Sequence, residues 1–157
     1  MQMKYLVLAL GVFASVGLAN AYGKGRPSSV GTWIRNDQES FNLPNPVKDE
    51  SVVIRRDDSI LDYTWTGVDA DGKKMSFTFS GAVDGKPQAA TGDFDGMRVA
   101  TVPTLTAVHE GKIWNKDGSS ESKYCIPVSP TRLTCYATYI DSKGKESLFR
   151  EVFDKKK

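Results

Sequence analysis

Three observations predict an all-β protein, an antiparallel up-and-down β-barrel of about 8–10 strands. Asp-Gly pairs recur at Asp71-Gly72, Asp84-Gly85, Asp95-Gly96 and Asp117-Gly118, with further turn signals at Glu110-Gly111, Ser129-Pro130 and Lys143-Gly144. Asp and Gly accept the positive φ that tight hairpins need. Between these turns the apolar residues alternate with polar ones, as in half-buried strands. No internal segment carries a sustained helical period or a helix-capping pattern. Short sequential connections favour a meander over crossovers, and closure into a barrel removes exposed sheet edges.

Residues 1–21 read as a secretory signal peptide, with Lys4 in its basic part, an apolar run from Leu6 to Leu18, and Ala19-Asn20-Ala21 as the processing site. That run is too short to span a bilayer, which needs ~20 apolar residues, so no membrane association is expected after cleavage. The expected location is outside the cytoplasm, periplasmic or secreted. Residues 22–29, rich in Gly, Ser and Pro, read as a flexible lead-in, and residues 30–154 as one barrel domain. The first strand is expected near residues 31–36, followed by a proline-bearing crossing. Residues 155–157 read as a basic, solvated tail.

The runs Ile60–Val68 and Lys73–Gly81 flank Asp69-Ala70-Asp71-Gly72 and should pair as a hairpin. Alternation puts Tyr63 and Trp65 on one face with Met75, Phe77 and Phe79. The stretch 97–110 is rich in β-branched residues but interrupted by Pro103, which predicts a bulge or bend. Cys125 and Cys135 are the two cysteines, and an exported chain makes them a disulfide. If they sit opposite each other, Tyr124 faces Tyr136 and Ile126 faces Thr134 across an odd loop centred on Pro130. A two-residue turn at Pro130-Thr131 would instead set Cys125 against Tyr136. Pro127 lacks an N–H and belongs at an edge or non-bonded position.

Gly31-Thr32-Trp33 near the start of a meander resembles the Gly-x-Trp opening of the lipocalin-like, or calycin, barrels. That resemblance implies that Trp33 closes one barrel end and packs under an arginine of the last strand, for which Arg150 in SLFREVF is the candidate. A longer similarity, carried by GTWIRNDQESF, YTWTGVDADGKKMSFTFSGAVDGKP and ATYIDSKGKESLF, is to small exported bacterial proteins of lipocalin-like type. It implies a fold and a location without a substrate.

The chain's formal net charge is +2, too balanced for the basic face that nucleic acid demands. A lone histidine, His109, has neither the triad partners nor the further ligands that catalysis or a metal would need, so it reads as a turn residue. No Gly-x-Ser-x-Gly elbow is present. The acidic phrases DADGKK and DFDG lack the closing glutamate of a calcium loop and read as turns. Asp57-Asp58 reads as solvated turn. No metal, cofactor or catalytic residue is assigned, and no protein partner can be named. The apolar face formed by Tyr63, Trp65, Met75, Phe77, Phe79 and Val99 either fills the barrel or lines a cavity. The leading expectation is a non-catalytic binder of a small hydrophobic ligand. The alternative is a cell-envelope interaction or inhibitor module on a filled barrel.

Overall fold

A computed structural model describes residues 28–44, 47–102 and 110–157. Its strands are β1 (Gly31–Arg35), β2 (Lys48–Asp57), β3 (Ile60–Val68), β4 (Lys74–Ala82), β5 (Gln88–Ala89) and β6 (Thr91–Gly92). They continue as β7 (Arg98–Val102), β8 (Glu110–Trp114), β9 (Ser120–Ser129), β10 (Arg132–Ile140) and β11 (Glu146–Lys155). Among the described residues all pairings are antiparallel and join chain neighbours, except that β4 pairs with β6, β5 with β7, and β11 returns to pair with β1. The result is an up-and-down barrel, and the described residues contain no helix.

Among the described residues eleven strands stand where about 8–10 were expected, because residues 88–92 divide into two short pieces. Gln88 and Ala89 pair with β7, whereas Thr91 and Gly92 pair with β4. One five-residue run thus spans the seam, and side chains complete the missing ladder. The Gln88 carboxamide accepts from the Ala82 N–H at 3.1 Å and donates to the Ala82 carbonyl at 2.9 Å, imitating a peptide group. Farther along, the Ser76 N–H donates to Asp93 Oδ2 at 2.7 Å. These bonds satisfy backbone groups that an open edge would leave unpaired.

The hairpin β3–β4 has the expected register, with Tyr63 opposite Phe79 and Trp65 opposite Phe77. Cys125 and Cys135 form a disulfide and are directly opposed, as are Tyr124 with Tyr136 and Ile126 with Thr134. The turn, however, is the two-residue Pro130-Thr131 form, closed by Ser129 against Arg132. A bulge between Arg132 and Leu133 restores the cysteine register, so the two geometries treated as exclusive coexist. Pro127 lies past Tyr124, the last residue of β9 with a described partner on β8, so its pairing on that side falls outside the described residues. Pro103 and His109 fall outside the described residues, as do residues 22–27 of the lead-in.

One end of the barrel is sealed. Trp33 is 1% exposed, and its indole N–H donates to the Ser29 carbonyl at 2.7 Å. Ser29, placed by sequence in a flexible lead-in, is fully buried; its N–H and hydroxyl reach Asp57 Oδ2 at 2.6 and 2.8 Å. Asp57 therefore anchors the chain's entry instead of sitting in a solvated turn. Leu61, Phe79, Val83, Leu133 and Phe153 complete this plug. The opposite end carries the loop after β1 and the turns joining β3 to β4, β6 to β7, β8 to β9 and β10 to β11.

Candidate ligand cavity

Inside the barrel lies a cavity of about 790 Å³ that reaches the unsealed end. Its apolar wall is an aromatic cluster. Trp65 stacks on Phe77 with ring centres 5.6 Å apart, and Phe94 meets both edge-on at 5.6 and 5.8 Å. Tyr63 stands edge-on to Phe77 at 5.6 Å. Such geometries follow the ring quadrupole and favour a rigid wall. Two inward glycines make room for aromatic rings, Gly67 beside this wall and Gly81 beneath Phe79. A Cβ on Gly67 would lie 2.9 Å from the Trp65 ring, and one on Gly81 only 2.5 Å from the Phe79 ring.

Of the residues singled out in the sequence, Tyr63, Trp65, Met75, Phe77 and Val99 line this cavity. Phe79 does not. Its side chain is fully buried beneath Tyr63 and over Gly81, as part of the plug. Trp33 closes the barrel end, but Arg150 does not cover it. Arg150 points outward and donates to the Glu39 carbonyl at 2.8 Å. The cation over Trp33 is Lys155, whose ammonium lies 5.2 Å from the ring centre. Parity explains the difference: Phe149, Glu151 and Phe153 face inward along β11, so Arg150 cannot. Lys155 is accordingly the last residue of β11 and not the start of a solvated tail.

The architecture is that of a nearly closed, antiparallel β-barrel. No family model and no curated protein matches the chain. A solved structure described as EF1p2_mFAP2b bound to DFHBI is similar at 12% identity and a TM-score of 0.48, covering 81% of this chain and 93% of that one.

The cavity also holds charges that the sequence reading passed over. Arg35 donates through Nε to Asp37 at 2.6 Å, through one terminal nitrogen to Glu50, and through the other to the Val47 carbonyl. Lys123 Nζ lies 2.9 Å from Glu121 and 2.7 Å from Glu151, with the Phe149 ring beneath it at 5.8 Å. Glu151 also approaches Arg35 at 4.0 Å, joining the two groups into one network. Alternation is the cause. Trp33 and Arg35 share a face, as do Glu121, Lys123 and Cys125, and Phe149, Glu151 and Phe153.

Glu50 owes its position to a β-bulge. Between Lys48 and Ser51 the pairing with β3 shifts, and Asp49 adopts a left-handed φ of 50°. The extra residue turns Val47 and Glu50 into the barrel on either side of it. Burial, followed by the Glu151 charge, pushes the Glu50 carboxyl up to about 7, against the opposing pull of Lys123, Arg35 and the Trp65 indole. Burial likewise opposes the Lys123 charge, but Glu121, Glu151 and Glu50 override it and hold the ammonium well above its ordinary range. Burial raises the Tyr63 phenol, which stays protonated. Among the described residues no group of His, Cys, Asp or Glu converges as a metal site.

Proposed function

We propose that this protein is an exported, non-catalytic barrel that binds a small ligand of largely apolar character. The observation carrying this reading is the cavity of about 790 Å³, walled on one side by Trp65, Phe77 and Phe94. Drug-sized ligands occupy pockets of roughly 300–1,000 Å³ lined by aromatic side chains with a few placed polar groups. The ionic network supplies those polar groups. It also rigidifies the wall, because each buried charge is held by a partner on its own or a nearby strand. A filled barrel presenting only its loops would have no such space, so the interaction-module alternative has less support. Export to the periplasm or the medium is supported by residues 1–21 and by the disulfide, which persists in oxidising surroundings.

The test is titration of the purified mature chain with an environment-sensitive apolar dye, followed by dye emission and by quenching of Trp65. The expected result is saturable, one-site binding that is weakened in Trp65→Ala. Non-saturable partitioning unaffected by that substitution would overturn the reading.

A further inference from the structure

The whole chain is slightly basic, yet the cavity is not. Among the described residues the mouth is lined by Asp69, Asp71, Asp95 and Asp117 with Lys116, which pairs with Asp95; within, Glu50, Glu121 and Glu151 share Arg35 and Lys123. A cleft of one sign with low-dielectric walls concentrates counter-ions of the other. The interior cations are already committed. Each donor-bearing nitrogen of Arg35 has an acceptor, and Lys123 bridges two carboxylates. An anionic ligand would have to displace a carboxylate to reach either of them.

Acceptors, by contrast, remain available. Glu121 Oε1 and Glu151 Oε2 share the single Lys123 ammonium, at 2.9 and 2.7 Å, and an ionised carboxylate offers about four lone-pair sites, so acceptor capacity is left over beside it. Thr101, 3% exposed and lining the cavity, has a hydroxyl with no hydrogen-bond partner among the described residues. Opposite it stands Gly111, where a Cβ would be 3.5 Å from Thr101 Cγ2, so the absent side chain leaves open space beside that hydroxyl. The wall opposite Glu121 and Glu151 is aromatic, and ring faces attract cations.

We propose that the cavity selects a small organic cation, an amine on an aromatic or alicyclic body. Its ammonium is drawn to the interior carboxylates and the Thr101 hydroxyl, and its body lies on Trp65, Phe77 and Phe94. The inference rests on the ligand-binding reading above and specifies the chemistry of that site.

Calorimetric titration with naphthylmethylamine, naphthylmethanol and naphthoate separates the two ideas, since the aromatic body is constant and the charge varies. The expected order is amine, alcohol, carboxylate, with the amine about tenfold or more tighter than the carboxylate and the preference shrinking as salt rises. Glu121→Gln should reduce that preference. So should the paired Asp71→Asn and Asp95→Asn substitutions at exposed mouth positions, which leave the barrel wall untouched. Alcohol or carboxylate binding as tightly as the amine overturns the cation proposal and leaves the cavity reading standing. A preference indifferent to all these substitutions also overturns it. Failure of all three probes to bind takes down both.

Discussion

Lys155 crosses Gly31 to place its ammonium 5.2 Å from the centre of the Trp33 ring. A Cβ at Gly31 would sit 2.5 Å from Lys155 Cε, and Gly31 has a φ of 142°. Glycine is therefore required twice over, for its backbone and for the passage of the lysine stem. Lys155→Ala is expected to lower stability by about 1 kcal/mol through lost packing and cation–π attraction. Arg150→Ala, on the outer face, should stay within about 0.5 kcal/mol. Urea unfolding of the two variants side by side checks this, and a larger loss at Arg150 would contradict the geometry.

Glu50 gives the fold a specific pH dependence. Its folded value of about 7 lies above the ordinary 4.5, so between these values the folded chain keeps a proton that the unfolded chain has released. Its contribution is greatest below the unfolded value, declines as pH rises to about 7, and is flat above. The facing groups are Arg35, Lys123, Glu121 and Glu151, all retained in Glu50→Gln. Between about pH 5 and about pH 8 that variant should gain roughly 3 kcal/mol relative to wild type. Urea midpoints at the two pH values measure the difference; parallel curves would show that Glu50 ionises normally.

The Cys125–Cys135 bond closes a short loop between strands already in register. Replacing both cysteines with serine should cost about 2–4 kcal/mol while leaving the barrel folded at room temperature. Calorimetry with and without reductant tests it, and reduction of the wild type should lower Tm in the same direction.

Gly111 is a place where the cavity can be filled without moving the wall. An added Cβ there meets nothing closer than 3.5 Å. Gly111→Leu should abolish probe binding at unchanged secondary structure, whereas Gly81→Ala, which drives a methyl into the Phe79 ring, should destabilise by about 1–3 kcal/mol. Circular dichroism and probe titration together distinguish a blocked cavity from a damaged fold.

The aromatic hairpin was legible because strand parity and an Asp-Gly turn together specify which residues meet. Trp65 and Phe77 are placed by those two rules alone. The charged interior obeyed the same parity, since Glu121 and Lys123 precede Cys125 at two-residue steps. It was missed because polar residues are ordinarily assigned to the solvent face. Glu50 was less accessible still. Its inward aim depends on a bulge at Asp49 that nothing in the local composition announces.

The amino-acid order by itself determined the meander, the hairpin registers and the cysteine pairing, because each follows from turn chemistry and a two-residue period acting over short separations. Tertiary structure alone decided that Lys155 covers Trp33 in place of Arg150, that Phe79 belongs to the plug, and that the barrel is hollow with a carboxylate-rich interior. Those outcomes depend on closure between β1 and β11 and on bulges that shift parity. They arise from how distant strands meet, which local pattern does not encode.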